Sequence, residues 1–206
     1  RSQGVFETVS IPPRPVVALP DPTFGRATLT DGQAEAAERL REKAGTDAFS
    51  VTLIDGVTGS GKTEVYFEAV AAALEQGKQV LILIPEIALT QAFLERFHDR
   101  FGAKPAEWHS DLAPKKRERV WRQVAEGQLR VVAGARPALF LPFRELGLIV
   151  IDEEHDPAYK QEDRVFYNAR DMGVVRGHIG GFPVVLASAT PSLESRVNAN
   201  QGRYER

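Results

Sequence analysis

The chain has 206 residues, of which 43% are hydrophobic, and this size and composition predict one sizeable α/β core rather than two. Its formal net charge of −2 lacks the excess of basic residues that marks a strong nucleic-acid binder, so any DNA contact must come from local features. Cysteine is absent, which excludes disulfides and zinc–thiolate sites within these residues and agrees with a reducing, cytoplasmic location.

Residues 1–28 carry no signal-peptide pattern, and no run in the chain approaches the ~18 apolar residues of a membrane span, so no membrane association is expected. These residues are instead rich in proline, which is typical of a linker with extended backbone. We interpret them as a tether from a missing N-terminal module, because the chain begins with Arg1 and not with methionine. Residues 29–206 would then form one domain.

Helices and strands alternate along this domain. Residues 30–33 open a first helix, which is expected to run to about Ala44 and to end at Gly45. Further helices are expected near residues 62–75, 87–100, 114–126, 168–178 and 191–199, and strands near 51–55, 79–84, 130–133, 147–151 and 183–187. This alternation predicts a mostly parallel sheet covered by helices on both faces.

Residues 56–63 match the phosphate-loop pattern G-x-x-x-x-G-K-[S/T] at every fixed position, and they follow an apolar strand. Glycines are needed because the backbone must turn its N–H groups toward phosphates at close range. Lys62 would supply charge to the terminal phosphates, and Thr63 would ligate Mg²⁺ at the start of a helix whose dipole favours the anion. The predicted triphosphate site consists of Gly56, Val57, Thr58, Gly59, Ser60, Gly61, Lys62 and Thr63.

An acidic motif ends the apolar strand at 148–151, at the edge of the sheet where α/β folds bind ligands. Asp152 would hold Mg²⁺ directly or through its water ligands, and Glu153 would orient and deprotonate the attacking water. Glu154 and Asp156 are better explained as residues of a solvated loop. His155 is either a surface histidine or a residue that couples the nucleotide site to segments facing DNA.

Four blocks carry a resemblance to a known family: residues 56–66, 84–91, 152–156 and 187–195. They resemble the first motor domain of the PriA family of bacterial replication-restart helicases, which are superfamily 2 DNA translocases. The resemblance extends from about residue 29 to residue 206. It implies a RecA-like P-loop NTPase fold, ATP and Mg²⁺ as cofactors, and ATP-driven 3′ to 5′ unwinding at abandoned forks. It also implies DNA, a second RecA-like domain in the same protein and primosome proteins as partners, with the family's zinc site outside this fragment.

The resemblance assigns two further parts of the nucleotide site by position. Gln33 corresponds to the glutamine that reads adenine, because an amide can pair with the N6 and N7 edge of that base. Alternatively, Gln33 completes a capping box with Thr30 and only satisfies a backbone N–H, and the two roles do not exclude each other. The segment that links hydrolysis to DNA binding corresponds to Ser188, Ala189 and Thr190, although Thr190 with Pro191 also fits a helix N-cap followed by proline.

Two short segments are expected to face DNA by analogy. Residues 85–90 would begin a helix whose N-terminal end and Thr90 hydroxyl contact phosphate oxygens. In residues 134–140, Ala135 and Pro137 stand where the family usually has Thr and Ser. Contact there should therefore depend on Arg136 and on backbone groups.

A third segment, residues 159–171, interleaves aromatic and basic side chains, as stacking on single-stranded bases requires. It resembles an aromatic-rich loop that senses DNA and signals to the ATPase. Around Phe166 the sequence departs from the Gly–aromatic arrangement expected of that loop, and Phe166 and Tyr167 could instead pack the next helix into the core. The candidate DNA contacts here are Tyr159, Lys160, Phe166, Tyr167 and Arg170.

The most basic stretch, residues 115–122, is predicted to be an amphipathic helix with Val120, Trp121 and Val124 inward and its charges in solvent. It is therefore not expected to be the main DNA site.

Two other functions share most of these motifs: a nucleotide-gated binding or signalling module that never translocates, and a motor domain of another superfamily 2 repair or restriction enzyme.

Overall fold

The computed structural model describes residues 15–206, so the first half of the proline-rich segment, residues 1–14, lies outside the described residues. Within the described part, six parallel strands form one sheet. These strands are β1 (Val51–Asp55), β2 (Gln79–Leu83), β3 (Ala106–Trp108), β4 (Val131–Gly134), β5 (Leu146–Asp152) and β8 (Val184–Ser188). Their order across the sheet is β1-β8-β5-β2-β4-β3, and a separate antiparallel pair, β6 (Lys160–Gln161) and β7 (Tyr167–Asn168), forms a small hairpin.

Helices cover both faces of the sheet, as the sequence predicts. One face packs against α1 (Asp31–Ala44), α2 (Lys62–Glu75) and α3 (Gln91–Phe101), and the other against α4 (Pro114–Ala125), α5 (Ala169–Gly180) and α6 (Leu193–Asn200). Three short 3-10 helices follow the sheet's carboxyl edge: Glu86–Ala88, Arg136–Phe140 and Pro157–Tyr159. Within residues 15–206, no helix has the length and apolar character needed to cross a bilayer.

The central strands are covered on both faces, which explains why their sequences are apolar without interruption. In β2, Val80 and Ile82 point into the core beneath α1–α3, while Leu81 and Leu83 point into the opposite core. The strand β5 divides its side chains between the two cores in the same way. Because successive side chains of a strand point to opposite faces, a strand covered on both sides needs apolar residues at every position.

Two helix starts and one edge strand differ from the sequence prediction. The helix expected from residue 87 begins at Gln91, where the Thr90 hydroxyl caps it by accepting from the Phe93 N–H at 3.3 Å. The N-cap assigned to Thr190 with Pro191 is wrong, because Ser192 caps α6 and accepts from the Ser195 N–H. The short edge strand β3 was not anticipated.

The amphipathic helix α4 buries Val120 and Val124 as predicted. The inward placement of Trp121 is wrong, since this side chain is 51% exposed.

At the N-terminal side, the described part of the proline-rich segment lies along the domain. The Val16 N–H donates to the Gln123 side chain at 2.9 Å, and the Gly25 N–H donates to the Arg100 carbonyl at 3.1 Å.

Candidate nucleotide site and DNA-facing surface

The phosphate loop connects β1 to α2 and depends on glycine at two positions. Gly59 and Gly61 have φ angles of 79° and 80°, in the left-handed region that disfavours side chains. A Cβ added to Gly61 would lie 2.4 Å from Nε2 of Gln33, so even a methyl group there would displace a neighbour. The loop therefore has the local geometry of a phosphate cradle.

Lys62, the first residue of α2, is 9% exposed and turns back into the loop. Its ammonium group donates to the carbonyl oxygens of Gly56 at 2.7 Å and Val57 at 3.2 Å. Val57, Thr58 and Gly59 form the exposed outer part of the loop. A cation is thus held among backbone groups at the N-terminus of a helix, where an anion is also favoured by the helix dipole.

Gln33 links the start of α1 to the phosphate loop. Its Oε1 accepts from the Thr30 N–H at 2.8 Å, which confirms the capping box, and its Nε2 donates to the Ser60 carbonyl at 2.7 Å. An amide oxygen has two lone pairs and an amide nitrogen two hydrogens, so each end of Gln33 retains capacity for one further partner. Recognition of adenine remains a prediction that this geometry can accommodate.

Asp152, at the end of β5, is linked to α2 by a tyrosine. The buried Tyr66 hydroxyl donates to Oδ2 of Asp152 at 2.9 Å. Burial raises the pKa of Tyr66, and the neighbouring Thr63 side chain has a smaller, opposite effect that lowers it. Burial raises the pKa of Asp152, and the hydrogen bond from Tyr66 opposes that rise. A carboxylate whose charge is disfavoured by burial is suited to a cation, and hard oxygen ligands suit Mg²⁺.

Tyr66 received no role from the sequence, although it lies three residues after Thr63 and therefore on the same face of α2. That spacing was the available signal. Among the described residues, no group of three or more acidic or histidine side chains forms a metal cluster. In nucleotide sites, Mg²⁺ commonly binds one or two protein oxygens and takes its other ligands from phosphate and water.

Glu153 adopts a left-handed backbone with φ 47°, which is uncommon for a residue with a side chain. Its carboxylate lies 3.6 Å from Nδ1 of His155, and the same ring nitrogen lies 2.7 Å from the Ser188 hydroxyl. The Ser188 hydroxyl accepts from the Thr190 N–H at 3.0 Å. The acidic motif and the 188–190 segment are therefore joined through hydrogen bonds, with Ser188 fully buried between them.

Ser188 also connects the acidic motif to the phosphate loop. It ends β8, which lies between β1 and β5 in the sheet. Its carbonyl accepts from the Gly56 N–H at 3.3 Å, and the carbonyl of the preceding Ala187 accepts from the Glu154 N–H at 3.1 Å. The three motifs thus meet at the carboxyl ends of three adjacent strands, where α/β sheets bind ligands.

Glu154 is not the solvated loop residue that the sequence suggested. It is 1% exposed, because the chain turns at Glu153 and directs the next side chain back into the domain. Its carboxylate accepts from the Ser192 N–H at 2.7 Å and the Ser195 hydroxyl at 2.9 Å, and it pairs with Arg170 at 3.3 Å. A buried carboxylate needs such donors to offset its loss of hydration.

Two candidate DNA contacts in the 159–171 segment are wrong. Tyr159 is 1% exposed, with its hydroxyl against backbone carbonyls, so its ring has no free face for a base. Arg170 is 6% exposed and pairs with Glu154 and Asp171. Both side chains are parts of the core, which the interleaved aromatic and basic pattern does not distinguish from a DNA-facing loop.

The other candidates of this segment differ in exposure. Phe166 is 77% exposed at the end of the hairpin, and Lys160 is exposed and paired with Glu162 at 2.5 Å. Tyr167 is half-buried and packs edge-on against Phe140 with ring centroids 5.4 Å apart. Phe166 therefore has a ring available for stacking, whereas much of the Tyr167 ring is committed to packing.

Arg136 lines a cleft of about 570 Å³ at the carboxyl ends of β2, β3 and β4. Its guanidinium donates to the Lys160 carbonyl, which ties the cleft to the hairpin. Thr90 is exposed at the start of α3 but does not line this cleft.

The sequence missed several residues of this cleft: Trp108, His109, Ser110 and Arg117. Arg117 lies over the Trp108 ring, 5.6 Å from its centroid, and donates to the His109 and Ser110 carbonyls. Thus one charge of the basic helix does not simply point into solvent. The unpredicted strand β3 places Trp108 at the sheet's carboxyl edge, so its neighbours could not be located from the sequence.

Comparison with known families agrees with this geometry. The family model described as "DEAD/DEAH box helicase" matches residues 30–198. The chain belongs to the DEAD/DEAH box helicase family. The phosphate loop and the acidic motif both lie inside the matched region of this chain.

Relatives within the family include replication restart protein PriA. The chain is 51% identical over 183 residues to PriA of Rickettsia felis and 45% identical over 177 residues to PriA of Bacillus subtilis. These alignments cover 89% and 86% of this chain but 28% and 22% of the relatives, so the chain spans about a quarter of their length. The resemblance to PriA that the motifs indicated is confirmed.

Solved helicase structures share the fold. A structure of RecG bound to a three-way DNA junction has a TM-score of 0.63 and 25% identity, covering 86% of this chain and 23% of that one. A structure of the DUF1998 helicase MrfA bound to DNA has a TM-score of 0.58 and 21% identity, covering 86% and 25%. The predicted RecA-like α/β fold is confirmed.

Proposed function

We propose that this chain is the first motor domain of a PriA-type DNA helicase, which couples ATP hydrolysis to 3′ to 5′ movement on DNA during replication restart. The observation that carries the proposal is the junction at Ser188, which joins the phosphate loop to the acidic motif and to the 188–190 segment. This chain is 45–51% identical in sequence to the two PriA relatives and 25% identical to RecG, which favours the function of PriA over that of RecG. We place the protein in the cytoplasm, with primosome proteins as partners.

In this proposal each residue of the site has a distinct task. Lys62 exchanges its bonds to loop carbonyls for oxygens of the triphosphate, and the loop N–H groups supply the remaining donors. Thr63 and Asp152, the latter oriented by Tyr66, would hold Mg²⁺, which would neutralise charge on the phosphates. Glu153 orients the attacking water and accepts its proton, while Gln33 reads the adenine edge.

The proposed protein is longer than this chain, as are the relatives. Superfamily 2 motors complete their site with arginines from a second RecA-like domain, and an arginine finger is worth roughly 10³- to 10⁵-fold in rate. The isolated chain should therefore bind ATP with Mg²⁺ but hydrolyse it slowly. Four residues remain our candidates for DNA contact: Phe166 with its exposed ring, Lys160, Arg136 and Thr90.

Strand displacement by the full-length protein tests this function. The protein should hydrolyse ATP faster when single-stranded DNA is added than without it. It should also unwind forks with an exposed 3′ end. Glu153→Gln should still bind ATP but lose both activities, whereas Glu118→Gln, an exposed change on α4, should retain them. Hydrolysis without strand displacement would favour a nucleotide-gated module, and unwinding without fork preference would favour another superfamily 2 motor.

A further inference from the structure

The left-handed backbone of Glu153 requires an external restraint. A residue with a side chain remains in this region only where the surrounding structure holds it there. Its φ of 47° places it between two residues with different surroundings: the half-buried Asp152 at the end of β5 and the buried Glu154. Each neighbour is held by a side chain from the 159–170 segment.

The first restraint acts on the residue before Glu153. The Tyr159 hydroxyl lies 2.6 Å from the carbonyl oxygen of Asp152 and 2.9 Å from that of Leu83, so its one proton is shared between the ends of β5 and β2. A tyrosine hydroxyl is protonated at neutral pH, so it is a donor to these two carbonyl oxygens. The ring is 1% exposed and has no freedom to leave this position without opening the core.

The second restraint acts on the residue after Glu153. Arg170 lies at the start of α5, where the Asn168 side chain caps its backbone N–H at 2.9 Å. Its guanidinium pairs with Glu154 at 3.3 Å and donates to the Ser192 hydroxyl at 2.7 Å. Glu154 is thereby fixed from two helices, α5 and α6, as well as from β8.

Tyr159 and Arg170 stand at the two ends of the β6–β7 hairpin, whose tip exposes Phe166. We propose that Tyr159 and Arg170 are positioning residues for hydrolysis, which hold Asp152 and Glu154 and so keep the Glu153 carboxylate directed at the nucleotide site. The inference rests on the proposed role of Glu153. It makes the base of the hairpin, and not only its exposed tip, part of the hydrolytic machinery.

Tyr159→Phe is the first test, because it removes the hydroxyl and keeps the buried ring. Measured in the full-length protein, basal kcat for ATP should fall ~10-fold or more, since misplacing a reacting group by ~1 Å can cost ~10²-fold. The KM for ATP and the melting temperature should stay near wild type. Tyr204→Phe is the matched control, a half-buried tyrosine outside the 159–170 segment, and it should leave kcat unchanged. Arg170→Lys, which keeps the charge but loses the planar fork, should lower kcat in the same manner.

A double-mutant cycle separates positioning from general stability. If Tyr159 acts through Glu153, Tyr159→Phe should slow single-turnover hydrolysis in the wild-type background but not in Glu153→Gln. Equal slowing in both backgrounds, or an unchanged kcat in Tyr159→Phe alone, overturns the inference. Normal hydrolysis by Glu153→Gln removes the proposed role of Glu153, and the inference with it, while leaving ATP binding by Lys62 as a separate question.

Discussion

The Tyr66 hydroxyl reaches from α2 to the end of β5 and donates to Oδ2 of Asp152 at 2.9 Å. The donor is completely buried, so this phenol of α2 orients Asp152, the proposed Mg²⁺ ligand at the end of β5. The bond has an electrostatic effect as well, because it stabilises the ionised form of a carboxylate whose pKa burial raises.

Tyr66→Phe should therefore shift the pH dependence of hydrolysis. Loss of a hydrogen bond that lowers the pKa of Asp152 lets that pKa rise further, so the Mg²⁺-binding carboxylate forms only at higher pH. The acid limb of kcat/KM against pH should move upward, and the Mg²⁺ concentration for half-maximal rate should increase at acidic pH. An acid limb that coincides with wild type would separate Tyr66 from the metal site.

Alanine at Gly61 should damage nucleotide binding more than alanine at Gly59. Both positions have left-handed backbone, which costs a side-chain-bearing residue roughly 1–2 kcal/mol. A Cβ at Gly61 also meets Gln33 at 2.4 Å, whereas nothing lies within 4 Å of one at Gly59. Gly202→Ala, with φ 71° and open space, controls for backbone strain alone. ATP titrations and melting curves on the three variants measure the two effects; equal affinity loss for Gly59→Ala and Gly61→Ala would contradict the steric argument.

The Glu154–Arg170 pair should contribute far more to stability than a surface pair does. Removing one partner of a buried ion pair typically costs ~3–5 kcal/mol, since the other charge stays buried. Arg170→Met should therefore unfold at much lower denaturant concentration. Arg39→Met breaks the exposed pair with Glu35 at 2.9 Å and should cost only ~0.2–1 kcal/mol. Similar unfolding midpoints for the two variants would mean that the buried pair is not required.

Phe166→Ala should uncouple DNA from hydrolysis without destabilising the domain. The ring is 77% exposed, so its loss removes little packing, and stacking is worth ~1–3 kcal/mol per base. Stimulation by single-stranded DNA should drop while basal hydrolysis and melting temperature stay constant. Ile179→Ala, a similarly exposed apolar residue on α5, is the control. Unaltered stimulation in Phe166→Ala would assign the sensing role to other residues.

Local patterns were sufficient to predict most of the fold. The bounds of β1 and α2 agree with the structure because an apolar strand, a glycine loop and a helix follow one another directly in sequence. The strand β3 was missed because three residues at a sheet edge carry too little periodicity to be recognised. The α6 boundary was wrong because Thr190, Pro191 and Ser192 offer two plausible caps, and the choice depends on the contacts of Ser192 with Glu154.

The site was predictable where the backbone alone sets the geometry and not where distant contacts do. Tyr159 and Phe166 lie in the same aromatic and basic stretch, yet the first is buried and the second exposed. What separates them is the bond from Tyr159 to the ends of β2 and β5, residues that lie 76 and 7 positions away in sequence. Glu154 likewise became a core residue through Arg170 and two serines that no local pattern connects to it.

Calorimetric titration of Mg²⁺–ATP into this chain is the most direct test of the central claim that the three motifs form one nucleotide site. The wild-type chain should bind with a single stoichiometric site, and Lys62→Ala should lose that binding while keeping its melting temperature. Lys104→Ala, an exposed lysine after α3, should bind as wild type does. Undiminished affinity in Lys62→Ala would contradict the assignment of the phosphate loop and, with it, the proposed motor function.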